Sequence, residues 1–180
     1  MSVTKTITIP KDYISLLNVT ETQIAIKEIK HYFEDNFSKE LNLMKVSAPL
    51  ILKEGTGIND NLNGTERTVS FDALDIGESK IEVVQSLAKW KRVALKELDL
   101  SIGKGIYTNM NALRRDETLD NLHSIYVDQW DWEKIITREQ RNLTTLKNEV
   151  LKIYDMFKST ERYLHELHPI LEPVLPDDIY

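Results

Sequence analysis

Residues Leu122 to Glu133 read LHSIYVDQWDWE, and the alternation in this stretch decides how the rest of the chain is read. As a strand it puts His123, Ile125, Val127, Gln129 and Asp131 on one face. Ser124, Tyr126, Asp128, Trp130 and Trp132 fall on the other. The β-branched and aromatic residues favour the extended form. Apolar residues gather at the start and polar ones at the end. That order predicts a strand that begins in a core and finishes with a carboxamide and a carboxylate on one face, as the floor of a binding site. A half-buried edge strand with a solvated end fits the same alternation, so the neighbouring segments must decide.

Immediately upstream, Ile106 to Leu113 reads as a second strand and ends in Arg114-Arg115-Asp116-Glu117. A loop over Thr118 to Asn121 returns the chain, which makes a hairpin with arginine at its outgoing end. Such a hairpin can clamp an anion; a solvated charged loop is the alternative for RRDE taken alone. Before it, Ser86 can cap a helix over Leu87 to Leu98 with an apolar face of Leu87, Trp90, Ala94, Leu95 and Leu98. Lys91 falls inside that stripe, whereas Lys89, Arg92 and Lys96 fall on the opposite, solvated side. An inward lysine costs free energy unless its stem snorkels out or its charge is paired, by a neighbouring strand or by a ligand.

Farther out, Thr20-Glu21-Thr22-Gln23 is a capping-box pattern. Ile26, Ile29, Phe33 and Phe37 follow at helical spacing, with Leu41 near the end and Asn42 as a left-handed stop. Met44 to Ala48 alternates as a strand until Pro49 interrupts. Val3 to Ile9 reads as an extended arm or edge strand. Lys53 to Gly64, KEGTGINDNLNG, is a loop in which Asp60 can cap a turn. It is no P-loop, because Gly-Lys-Ser/Thr does not follow. Val69 to Leu74 and Lys80 to Val84 read as short strands around Gly77. A second capping box, Thr137 to Gln140, opens a long helix marked by Leu143, Leu146, Val150, Ile153, Phe157 and Leu164, which Pro169 stops near His168. His165 and His168 lack the spacing of a zinc-binding helix, and no metal site is expected there.

The 180 residues suffice for one domain with a core. With no cysteine, disulfides, thiol nucleophiles and Cys-based zinc sites are excluded. No apolar run approaches a membrane span, and the start lacks the h-region of a secretory signal, so a cytoplasmic protein is expected. A net charge of −6 argues against broad nucleic-acid binding.

Taken together, GINDNLNG (Gly57 to Gly64), EVVQSLAKWKR (Glu82 to Arg92), GIYTNMNALRRDE (Gly105 to Glu117) and LHSIYVDQWDWE resemble the ammonia-dependent asparagine synthetases, or aspartate–ammonia ligases. Order and spacing match over essentially the whole chain. The resemblance implies an α+β fold: the antiparallel sheet flanked by helices of class II aminoacyl-tRNA synthetases. It implies a homodimer built through the helix from Thr20 to Leu41. It also implies a reaction in two steps. Aspartate and ATP give β-aspartyl-AMP and pyrophosphate; ammonia then gives asparagine and AMP. On that resemblance Arg114 neutralises the α-phosphate, and its planar, permanently charged fork suits the task. Lys91 takes a carboxylate of aspartate, while Gln129 and Asp131 hold the amino acid and its ammonium. Ser86 is a further aspartate contact, and Asp60 binds ammonium and takes its proton. Asp116, Glu117, Ser124 and Val127 join Arg114 around the nucleotide. Lys91, Arg114, Gln129 and Asp131 are expected in one pocket.

The family continues well past this length. By the resemblance, this chain matches its N-terminal part and lacks the later acidic residues that hold Mg2+ and the third class-defining motif with its arginine. Losing one electrostatic contact to a transition state can cost ~10²–10³ in rate. The 180 residues alone are therefore expected to make little or no asparagine. Two other readings stand beside the ligase: a class II aminoacyl-tRNA synthetase core, and a non-catalytic dimerisation or binding module derived from the ligase. The acidic charge and the lack of a preceding anticodon-binding domain count against the former; the short length favours the latter.

Overall fold

The computed structural model describes residues 7–179. In chain order its elements are α1 (Val19–Glu40), β1 (Leu43–Lys45), β2 (Ile51–Lys53), β3 (Ser70–Phe71), β4 (Ile81–Val83), α2 (Ala88–Glu97), β5 (Gly105–Leu113), β6 (Tyr126–Lys134) and α3 (Leu143–Leu167), with a 3-10 turn at Leu74–Ile76. The long hairpin of β5 and β6 is antiparallel, pairing Gly105 with Lys134 and Leu113 with Tyr126. β1 joins its other side in parallel, giving the order β1-β5-β6. A small antiparallel sheet, β2-β4-β3, abuts the hairpin where the Leu113 N–H donates to the Val84 carbonyl at 3.2 Å.

The pleat of β6 explains the layering. Trp130 and Trp132 turn to one side, where α1 and α3 bring Phe33, Phe37, Leu41, Ile153 and Met156 against them and Tyr107. Phe33 stacks on Trp130 with centroids 4.4 Å apart, and Phe37 meets Trp132 edge-on at 6.1 Å. Such pairs contribute roughly 0.5–1.5 kcal/mol each beyond burial. On the other side, Ile106, Met110 and Ala112 of β5 pack with Leu87, Ala94 and Leu95 of the α2 segment. Trp90 packs against both of these clusters.

Several sequence expectations shift. The organising strand begins at Tyr126, not Leu122. Its polarity along the chain is also reversed: Tyr126 is exposed, and the half-buried residues lie at the far end, where the helices cover them. The first capping box forms two residues early. The Asn18 side chain accepts from the Glu21 N–H at 3.0 Å, and Glu21 accepts from the Asn18 N–H at 2.8 Å. The second box forms as hydrogen bonds between Thr137 and Gln140, but it closes a turn; α3 starts later, capped by Asn142. Asn42 takes the expected left-handed conformation, φ 58°. Ile26 is 46% exposed, because Ala25 takes the inward place on α1. Leu143, Leu146, Val150 and Phe157 are exposed too, so the apolar stripe of α3 is largely uncovered by the described residues. Of the expected arm from Val3 to Ile9, residues 1–6 lie outside the described residues, and Ile7 and Ile9 are exposed and in no strand.

On the helical side Glu34 of α1 binds Lys45 of β1, with Nζ 2.9 and 3.0 Å from its two oxygens. Burial pushes the Glu34 carboxyl up, but the hydrogen bonds and charge of Lys45, with help from Asn109, outweigh it and hold the group below its ordinary value of 4.5. A depressed carboxyl stabilises the fold above the unfolded-state value and loses that contribution as pH falls through the folded one. The stability difference between the protein and Glu34→Gln, read from thermal melts, is thus expected to be full at pH 7 and to shrink below about pH 4.5. Gly105 gives a sharper test. A Cβ there would collide with the Glu133 carbonyl oxygen and lie 2.7 Å from Leu43 Cδ2 and 2.9 Å from Lys134 Cα, two of the three being backbone. Gly105→Ala should cost about 1–3 kcal/mol in denaturant titrations, with Lys104→Ala nearly neutral.

Candidate active site

The site grows from the α2-facing side of β6. α2 begins where Ser86 Oγ accepts from the Ala88 N–H at 3.3 Å; Leu87, fully buried, is the formal cap residue. That start places Lys91 in the first turn, facing the sheet and only 5% exposed. Its ammonium donates to Asp131 and, at 2.9 Å, to the Trp132 carbonyl, with Glu133 Oε2 at 3.7 Å. The inward lysine therefore pairs with a strand and does not snorkel. Arg92 and Lys89, expected on a purely solvated face, also find anions. Arg92 Nε lies 3.7 Å from Glu133 Oε1, and Lys89 Nζ lies 3.8 Å from Asp60.

Asp60 owes its place to its neighbour. Asn59 is buried, donating to Glu82 Oε2 at 3.1 Å and the Val83 carbonyl at 3.2 Å, while accepting from the Gln85 N–H at 3.0 Å. The glycine-rich loop is thereby fastened to the segment between β4 and α2.

A second centre lies nearer the hairpin tip. Arg114, Glu117, Ser124, Val127 and Gln129 share the wall of a cavity of about 400 Å³. Arg114 Nε is buried there without a hydrogen-bond partner among the described residues. Neither Lys91 nor Asp131 lines this cavity. Of the four residues expected in one pocket, Arg114 and Gln129 line this cavity, while Lys91 and Asp131 pair with each other farther along the strand. Gln129 and Asp131 are two residues apart on one face, roughly 7 Å along the strand. Asp116 does not line the cavity either; it is held by Arg67, whose Nε lies 3.0 and 3.1 Å from its oxygens and whose N–H donates at 2.8 Å. Arg67 holds the Asp116 carboxyl down at about 2. A larger cavity, about 570 Å³, lies elsewhere, between the end of β6 and the start of α3. None of the expected site residues lines it.

The arrangement offers complementary chemistry side by side. A guanidinium with an unmet donor beside a cavity suits an anion. An ammonium–carboxylate pair suits a zwitterion presenting the opposite charges. Sequence reasoning overlooked Glu133, Asn59, Gln85 and Arg67. Periodicity carries no signal for them, since each is recognised only by the segment the fold sets opposite it.

Residues 20–180 match the family model described as aspartate-ammonia ligase. An aspartate–ammonia ligase of Clostridium perfringens (strain SM101 / Type A) is 58% identical over 171 residues, which are 95% of this chain and 51% of that protein. The chain belongs to the aspartate–ammonia ligase family. The Ruminiclostridium cellulolyticum member is 56% identical with the same coverage, and that of Bacillus thuringiensis (strain Al Hakam) is 56% identical over 167 residues. The chain spans about half the length of these curated relatives. Among solved structures, a pyrrolysyl-tRNA synthetase from Desulfitobacterium hafniense superposes with a TM-score of 0.55 at 14% identity, covering 73% of this chain and 47% of that one. The asparaginyl-tRNA synthetase of Entamoeba histolytica, in complex with asparaginyl-adenylate, gives 0.54 at 13%, covering 89% and 35%. At such identities the likeness establishes the fold, that of class II aminoacyl-tRNA synthetases.

Lys91→Met would leave Asp131 and Glu133 adjacent with their main cation gone. Both carboxylates keep some access to water, so the expected loss is about 2–4 kcal/mol, at or below the range for breaking a fully buried pair. Arg114→Met should stay within about 1 kcal/mol, since its head faces a cavity. Chemical denaturation of both variants checks the contrast.

Proposed function

We propose that this chain carries the substrate-reading part of an aspartate–ammonia ligase, which makes asparagine from aspartate, ATP and ammonia through β-aspartyl-AMP. The observation that supports it most is the buried Lys91–Asp131 pair beside the Arg114 cavity on one strand face. In this reading a carboxylate of aspartate docks on Lys91, and its ammonium on Asp131 and Gln129, with Ser86 as a further contact. Zwitterion and ion pair exchange partners, so no charge is left buried alone. Arg114 neutralises the α-phosphate of ATP, with Glu117, Ser124 and Val127 around the nucleotide. The side-chain carboxylate oxygen attacks the α-phosphorus and pyrophosphate leaves. Ammonia then attacks the acyl carbon, AMP leaves with the bonding pair, and the surplus proton passes to Asp60 or to water. Asp116, already committed to Arg67, is assigned no contact with the nucleotide.

Among the described residues, no three His, Cys, Asp or Glu side chains gather into a metal-holding group. Magnesium is implied by the family resemblance alone. The exposed Val19, Ile24 and Ile26 on α1 support a homodimer through that helix. No helix of the described residues is long and apolar enough to cross a membrane. A cytoplasmic setting fits the use of ATP, and the charge of −6 fits partners that are small molecules rather than nucleic acid. Residues 1–180 are read as one portion of a single catalytic domain.

Calorimetric titration of the 180-residue chain tests the reading. Aspartate and ATP should each bind, and Lys91→Met should weaken aspartate at least tenfold while leaving ATP within about threefold. Binding of neither ligand by the unaltered chain overturns the assignment. With aspartate, ATP, magnesium and ammonia, a chain of verified mass ending at Tyr180 should form AMP and asparagine at least ~10²-fold more slowly than a full-length relative. Comparable rates would show that these residues suffice for catalysis.

A further inference from the structure

The loop that carries Arg114 is not free at its tip. Arg67, on the segment leading into β3, grips Asp116 with its guanidinium and its backbone N–H. A second tie runs beside it: Arg115 Nη1 donates to the Thr68 carbonyl at 3.3 Å. The segment that supplies Arg67 is anchored from inside. Gln85, with no exposed surface, donates through Nε2 to the Arg67 carbonyl at 3.0 Å. The Gln85 N–H in turn donates to Asn59, the neighbour of Asp60. One hydrogen-bonded chain therefore runs from the Asp60 loop through Asn59, Gln85 and Arg67 to Asp116, two residues beyond Arg114.

We propose that Arg67 is a positioning residue for Arg114: by clamping Asp116 it fixes the hairpin tip, so that the Arg114 guanidinium stands at its cavity before the nucleotide arrives. Arg67 acts through the loop and makes no contact with the nucleotide. This rests on the reading of Arg114 as the α-phosphate residue. The advantage is entropic. A loop of about ten residues ordered in advance need not be ordered by the ligand. An exposed ion pair on its own contributes little, but this one is a two-point fork backed by a backbone donor and a buried amide, which is the geometry that makes such pairs effective.

The sign of two substitutions separates a clamp from a direct electrostatic effect. Arg67→Met and Asp116→Asn both open the clamp, so both should weaken ATP binding, by about three- to tenfold, and the double variant should be no weaker than either single one. If these residues acted on the nucleotide through their charges, losing the arginine would weaken binding while losing the carboxylate would tighten it. That opposite-sign result overturns the proposal, as does unchanged ATP affinity in both variants. Arg67→Lys, which keeps the charge but not the fork, should fall with Arg67→Met. The Arg67 side chain is 68% exposed and that of Asp116 24%, so these variants are expected to fold. Amide hydrogen exchange on the ligand-free chain supplies a readout independent of ATP. Residues 114 to 120 should exchange faster in both single variants, and unchanged protection overturns the clamp. If the unaltered chain takes up no ATP while exchange does speed up in the variants, the nucleotide reading of Arg114 has failed and the positioning role falls with it. If ATP binds and exchange is unmoved, only the present inference has failed.

Discussion

A lysine ammonium taken out of water must find an anion, and that requirement organises the described structure. Lys91 sits on the core-facing side of α2, where an aliphatic residue would pack without penalty. Its charge is met by Asp131 and by the Trp132 carbonyl, both on the last turns of the pleat of β6. α2 must therefore cross β6 at that point. Because side chains alternate along a strand, Trp130 and Trp132 are sent to the opposite face, where α1 and α3 hold them. One ion pair and one alternation thus set which helices lie on which side of the sheet.

The polar interior between the two sheets is built differently from the apolar layers. Asn59 and Gln85 are buried, and between them they satisfy three backbone groups, the Val83 and Arg67 carbonyls and the Gln85 N–H. Yet Gln85 Oε1 and Arg114 Nε are buried with no partner among the described residues. An unmet buried donor or acceptor costs about 1–3 kcal/mol. These two sit on residues that flank the Leu113 N–H to Val84 carbonyl bond, close to where the anionic ligand is proposed to enter. Trp130 Nε1, in the aromatic layer on the far side, is likewise buried with no partner among the described residues, so this cost is not confined to the proposed site.

The uncovered apolar side chains belong to the opposite regime. Leu143, Leu146, Val150 and Phe157 keep helical spacing along α3, and Val19 and Ile26 do so on α1. The amphipathic pattern was read correctly as helix, but the described residues leave much of that pattern facing outward. A hydrophobic stripe specifies that a face is to be covered; it does not specify by what.

Local chemistry was legible in the chain before folding. The alternation from Tyr126 to Glu133, the inward phase of Lys91, the arginine at the exit of β5 and the stop at Asn42 all follow from periods of two and 3.6 and from single-residue backbone preferences. Helix starts were legible only approximately. Asn18 and Asn142 out-competed nearby threonines as caps, because several polar residues in a row offer the same hydrogen bond and the surrounding packing selects one. Only the tertiary structure decided which anion each cation meets. It put Asp131 on Lys91. It put Arg67 on Asp116, 49 residues away, and drew Lys89 to Asp60. It also separated the ion pair from the Arg114 cavity. The physical reason is that charge pairing depends on distance in space, and for segments this far apart in the chain only the packed core sets that distance.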